Sequence, residues 1–140
     1  MRASLPLLFA LLTLPALAPA ALAAELDDLK GEWTVERAEK NGQQVPDSFA
    51  KRMKVVFDGG KLTLDDGNGK ETVTIKLDER AEPHKTIDFV HEDGKTAPGI
   101  YALSGDSLRM CWRKGGGDRP ARFAISADSG LVLMVLKRKK

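Results

Sequence analysis

Apolar and polar residues alternate along most of this chain with a period of two. Val73, Ile75 and Leu77 interleave with Thr72, Thr74 and Lys76, and Ile87 and Phe89 with Thr86 and Asp88. Leu108, Met110 and Trp112 interleave with Arg109, Cys111 and Arg113, and Phe123 and Ile125 pair in the same way. Successive side chains of an extended strand point to opposite faces, so each run predicts a strand with one apolar face. The predicted strands are Trp33–Ala38, Met53–Phe57, Lys61–Leu64, Glu71–Leu77, Thr86–Val90, Gly99–Leu103, Ser107–Arg113, Arg122–Ser126 and Leu131–Lys137. The last is apolar on both sides through Leu136, which predicts a central strand or one covered on its outer face. No segment has the length and period of a substantial helix. Asp47 or Ser48, after Pro46, can cap one short helical turn near residues 47–52.

Turn signals separate the runs: Asn41-Gly42, Asp58-Gly59-Gly60, Asp66-Gly67-Asn68-Gly69, Glu92-Asp93-Gly94, Ser104-Gly105-Asp106, Gly115-Gly116-Gly117-Asp118 and Asp128-Ser129-Gly130. Asp, Asn and Gly tolerate the positive φ of tight hairpins. Short strands joined by links of hairpin length predict an all-β domain, an antiparallel up-and-down barrel of about eight strands.

The first residues follow a different pattern. Arg2 precedes the apolar run Leu5 to Leu14, and Ala/Pro-rich residues follow to Ala24. This is the layout of a secretory signal, with Ala21-Leu22-Ala23 as the small-x-small cleavage site. Residues 1–23 are expected to be the signal, with a cut after Ala24 as the neighbouring alternative, and residues 24–140 the barrel domain. Pro6, Pro15 and Pro19 interrupt a run that would need about 20 continuous apolar residues to span a membrane. No cysteine near the cut offers a site for lipid attachment. The domain is therefore expected in the periplasm or outside the cell, without a stable membrane anchor.

Charge and cysteine usage narrow the function classes. The formal charge is +2, and Lys137-Arg138-Lys139-Lys140 supply four of the positive charges, so the rest of the chain is slightly acidic. No nucleic-acid partner is expected. The terminal cluster either grips an anionic surface or is simply solvated. The single cysteine, Cys111, allows no internal disulfide. Strand parity places it with Arg109 and Arg113, and cations raise a thiol's thiolate fraction. Cys111 is a candidate reactive thiol; the alternative is a small apolar residue packed on the outer face.

The remaining chemistry is sparse. His84 and His91 flank one strand and should face opposite ways, so no zinc site is expected. The pairs Asp27-Asp28, Asp65-Asp66 and Glu92-Asp93 sit at strand ends or turns, not in the contrasting environments of acid–base catalysis. Asp66-Gly67-Asn68-Gly69 lacks the further ligands of a calcium loop. There is no Gly-x-Ser-x-Gly, and Gly115-Gly116-Gly117 is not followed by the Lys-Ser/Thr of a phosphate loop. Neither an enzyme nor a cofactor is expected.

Leu26 to Trp33, with Gly31 and Trp33 as its Gly-x-Trp, resembles the opening of lipocalin-like barrels. That resemblance implies a basic residue of the last strand against the tryptophan: Arg138, or Lys137 as the alternative. The chain also resembles a family of small uncharacterised exported domains best known from planctomycete bacteria. The resemblance runs through Leu29-Lys30-Gly31-Glu32-Trp33, Asn41-Gly42, Pro46, Gly99-Ile100-Tyr101, Gly105-Asp106-Ser107-Leu108, Met110-Cys111-Trp112, Ser129 to Leu133 and Leu136-Lys137-Arg138. It implies a lipocalin-like fold and no particular activity.

A barrel of this size either fills its interior or holds one small ligand. The inner wall is expected to carry Trp33, Val35, Val55, Leu62, Leu64, Val73, Ile87, Leu108 and Ile125. Phe57, Ile75, Phe89, Met110, Trp112 and Phe123 are the candidates for contact with a small apolar ligand. Their bulk favours a small pocket or none. The alternative is a filled barrel that binds another exported protein, with Pro46–Arg52 as a docking segment.

Overall fold

The computed structural model describes residues 25–123 and 130–140. The expected export signal and Ile125 lie outside these residues. A helical turn over residues 25–29 (α1) leads into β1 (Gly31–Lys40). A two-residue strand β2 (Gln43–Gln44) and a short helix α2 (Asp47–Ala50) follow. Next come β3 (Lys54–Asp58), β4 (Lys61–Asp65), β5 (Lys70–Asp78) and β6 (Lys85–Val90). The chain ends with β7 (Thr96–Ser104), β8 (Ser107–Arg113) and β9 (Leu131–Arg138).

From β3 onward each strand pairs antiparallel with the next, and β1 pairs with both β3 and β9. The result is a closed, eight-stranded, lipocalin-like barrel, with β2 as a short flap on β1. β1 serves two neighbours because they are staggered along it. Gly31 to Thr34 face β3, while Trp33 to Lys40 face β9, with an irregularity between Val35 and Arg37. Stagger of this kind is what closure requires.

The alternation read from sequence sorts the faces. Val55, Phe57, Leu62, Val73, Ile75, Ile87, Phe89, Leu108 and Met110 all lie in one buried core with Trp33 and Val35. Thr63 and Thr72 pair across the exterior through their hydroxyls at 3.0 Å. The exterior parity of β5 also carries Lys70, Thr74 and Lys76, the reverse of the apolar outside of a membrane-spanning barrel.

The expected strand Arg122–Ser126 does not appear between β8 and β9. β8 pairs directly with β9, from Ser107↔Lys137 to Arg113↔Leu131, which leaves no slot for Arg122–Ser126. Arg122 and Phe123 lie in a bend, and residues 124–126 are outside the described ones. Gly115, Gly116 and Gly117 all have positive φ and turn the chain away from the sheet. Residues 118–123 then strap the outside of the barrel. Arg119 reaches Asp88 at 2.9 Å and donates to the Gly99 carbonyl at 2.8 Å. Phe123 packs on Ile100, Cys111 and Leu133, so it lies outside the barrel and not on the interior wall assigned to it. This cover explains why β9 is apolar on both faces: Met134 and Leu136 point inward, Leu133 outward under the strap.

One end of the barrel is sealed by α1. Leu29 is fully buried, and its carbonyl accepts a 2.8 Å hydrogen bond from the Trp33 indole. Trp33 stands opposite Arg138 in the β1–β9 register, and the guanidinium lies 4.4 Å over its ring. The same guanidinium donates to the carbonyls of Asp28 and Lys30 and to the Asp106 carboxylate. Arg138, not Lys137, is thus the basic partner; Lys137 lies toward Glu36 on the exterior. Gly31 makes the entry to β1 at φ +127°, a conformation that side-chain-bearing residues rarely adopt.

Arg138→Ala is expected to lower the unfolding free energy by about 2–3 kcal/mol, because it removes a cation–π contact and leaves two helix-end carbonyls without a donor. Arg138→Lys should recover less than half, since an ammonium lacks the planar fork. Urea denaturation reads both; an Arg138→Ala midpoint at the parent's value would show that this clasp does not hold the barrel shut.

Candidate functional site: an apolar cup at the open end

The end opposite α1 carries the β4–β5 and β6–β7 turns and the long β8–β9 connection. The last residues of β4, β6 and β8 and the first of β5, β7 and β9 meet here, and their inward side chains do not fill the space. They leave an apolar cup of about 80 Å³. Its wall is formed by Val55, Leu62, Leu64, Val73, Phe89, Ala97, Met110, Trp112 and Met134. Ala97 pairs with Phe89 across β6–β7, so a small residue faces a large one at the site of the void. Phe89 and Trp112 present a tilted aromatic pair with centroids 5.2 Å apart.

Two polar residues stand on the rim. His91 Nδ1 lies 3.1 Å from Glu71 Oε1, and both side chains are solvent-exposed, so the cup opens past them. A groove continues outward over Lys70, Glu71, Thr72, His91, Glu92 and Asp93. The carboxylates outnumber the single lysine there.

Of the six residues expected to touch a ligand, Phe89, Met110 and Trp112 line the cup. Phe57 and Ile75 are buried in the filled part of the barrel, and Phe57 stands edge-on to Trp33 with centroids 6.4 Å apart. Phe123 sits outside, between His84 at 5.0 Å and the Arg109 guanidinium at 4.6 Å. Glu71, Ala97 and Met134 were not singled out from sequence, and His91 was weighed there only as a metal ligand. Glu71 and His91 were legible by parity: each lies two residues from an inward neighbour, Val73 or Phe89.

Cys111 shares the outer face under the strap with Ile100 and Leu133, and it is fully buried. Burial pushes its thiol up to about 11, and the lowering effect of Arg113 is the smaller of the two. A protonated thiol without solvent access is inert. The packed alternative is the one that the geometry favours.

A second polar cluster lies at the sealed end. Glu25 accepts from the Tyr101 hydroxyl at 2.8 Å and from Lys85 Nζ at 3.1 Å. Burial opposes ionisation of Glu25, yet hydrogen bonds with Glu79, Tyr101 and Lys85 and the Lys85 charge outweigh it and hold the carboxyl low. Glu79 pays the other half: its hydrogen bond with Glu25, then burial and the Glu25 charge, raise it to about 7. The contacts of Glu25 with Tyr101 and Lys85 tie α1 to the barrel. Among the described residues, no three of His, Cys, Asp and Glu converge to hold a metal ion. No family model, characterised protein or solved structure matches the chain.

Two measurements check these assignments. A thiol reagent should leave native Cys111 unmodified over hours and titrate one thiol in denaturant; fast labelling of the native protein would contradict its burial. Glu79 is raised in the fold above its ordinary 4.5, so its proton stabilises fully below about 4.5 and is lost as pH rises through about 7. Glu25 works in the opposite direction, but its lowered pKa places that loss below this window. Hydrogen exchange of the α1 amides should quicken from pH 4.5 to 7 beyond the intrinsic rate, and Glu79→Gln should flatten the trend.

Proposed function

We propose that this chain is an exported lipocalin-like binding module that takes a short apolar group into the cup at its open end. The observation that carries the reading is a gap of about 80 Å³ walled by Phe89, Met110, Trp112 and aliphatic side chains. Core side chains interdigitate closely, so an apolar opening beside an otherwise filled core is the default binding site. Its size sets the ligand. It is roughly half the ~150 Å³ that houses a benzene ring in an engineered cavity. It therefore takes about three or four carbons, the rest of the ligand lying outside, and a whole fatty acyl chain does not fit.

Export, and placement in the periplasm or outside the cell, rest on the signal-like pattern of residues 1–23. Membership of the small exported planctomycete-type family rests on the motifs from Gly31-Glu32-Trp33 to Leu136-Lys137-Arg138. We read the domain as a binder, not an enzyme, because the cup offers one imidazole–carboxylate pair on an exposed rim and no nucleophile beside it. The filled-barrel alternative, a module for an exported protein partner, finds one feature in its favour. Phe49 on α2 is exposed, with the Arg52 guanidinium 5.9 Å over its ring. A single exposed ring is ordinary for a surface and does not make a docking face. The terminal lysines are partly engaged, Lys139 with Glu32 and Lys140 with Asp106, which argues against an anionic-surface role.

Burying about four methylene-sized groups is worth about 3 kcal/mol, which corresponds to dissociation constants near the millimolar range for the inserted group alone. Amide chemical shifts of Phe89, Met110 and Trp112 should move on titration with short branched alcohols. Ala97→Leu, which fills the cup, should abolish the response while leaving the barrel folded. Shifts that persist in Ala97→Leu, or none with any short apolar compound, would remove the cup as the binding site.

A further inference from the structure

The rim of the cup specifies more than its wall. The wall is apolar and non-directional, so it selects by size alone. Selection by chemistry falls to the polar groups at the mouth, Glu71 and His91. The groove that continues from them adds Glu92 and Asp93 against the single Lys70. A head group emerging from the cup therefore meets an excess of carboxylate.

Glu71 is placed to receive a donor. It sits two residues before Val73 on β5, so its stem follows the inward parity while its head reaches solvent. An ionised carboxylate offers about four lone-pair sites on two oxygens. The 3.1 Å contact with His91 uses one oxygen, and capacity for an ammonium group remains.

We propose that the ligand group is a short branched alkyl chain ending in a primary ammonium, with the alkyl end in the cup and the ammonium at Glu71. The inference rests on the cup being a binding site and adds the chemistry of the head. An alkyl-ammonium of this kind satisfies both parts at once: about four carbons match the volume, and the cation replaces solvent at the acidic rim. A carboxylate head of the same length would place like charges side by side.

The test uses three compounds with one four-carbon tail and three heads: 2-methylpropylamine, 2-methylpropanol and 3-methylbutanoate, titrated at neutral pH and low salt with amide shifts as the readout. Glu71 is exposed, and exposed pairs are worth at most about 1 kcal/mol, so the ammonium should bind up to about fivefold more tightly than the alcohol. The carboxylate should bind more weakly than the alcohol. In Glu71→Gln the gap between ammonium and alcohol should close. The amide spectrum of the variant reports whether the barrel is intact, and if it is not, the head-group order on the unmodified protein decides alone.

Equal binding of the three heads, or tightest binding of the carboxylate, would overturn the ammonium assignment and leave the cup as a site for apolar groups. An ammonium preference that survives Glu71→Gln would also overturn it, because the selection would then come from elsewhere on the rim. Absence of any response to all three overturns the assignment, and the cup itself falls if the broader series of short apolar compounds fails as well.

Discussion

The contact between Trp33 and Arg138 is the constraint from which the rest of the barrel follows. An up-and-down meander has two unpaired edge strands until its first and last strands meet. Here they meet at Trp33 and Arg138, directly opposite one another in the β1–β9 register. Arg138 does three things with one planar group: it covers the indole, donates to the carbonyls of Asp28 and Lys30 at the helix end, and pairs with Asp106 from the β7–β8 turn. Closure and the seating of α1 are thus one event. Because α1, Trp33, Phe57 and Leu29 fill the core at that end, the apolar gap among the described residues lies at the other.

Much of this was readable from period-two alternation, because barrel strands have one wet and one dry face. The inward sets of β5, β6 and β8 follow sequence parity residue by residue. The stretch Arg122–Ser126 is instructive. It alternates as the barrel strands do, and no local signal distinguishes them. What keeps it from a place between β8 and β9 is their direct pairing, a non-local fact, together with a glycine triplet that redirects the chain. Its apolar residue Phe123 still finds a dry surface, but on the outside, where the two-sided apolarity of β9 had called for a cover.

The polar residues were harder to place. Glu71 and His91 sit at strand ends, where composition reads as turn, although their parity is inward. The Glu25–Tyr101 bond joins residues 76 positions apart and depends on α1 folding back over the sealed end. Cys111 shows the converse. Flanking arginines suggested activation, but flanking residues in a strand act only where solvent or a partner reaches the thiol, and the strap removes both.

The cup is best understood against the absence of a disulfide. With one cysteine, the domain depends on packing, and a cavity works against packing: about 24 cal/mol per Å³ corresponds to about 2 kcal/mol for a closed void of this volume. Contact with solvent through the mouth reduces that cost without removing it, since the apolar wall is then hydrated. A chain selected for stability alone would place a larger side chain opposite Phe89. The residue there is Ala97, buried and small, while Tyr101 of the same strand is buried and large toward the α1 end. The barrel interior at the α1 end is filled by Leu29, Trp33, Phe57 and Tyr101, while the open end keeps a gap that one substitution could fill. That asymmetry within the barrel interior is what favours reading the cup as a site over reading it as a packing defect.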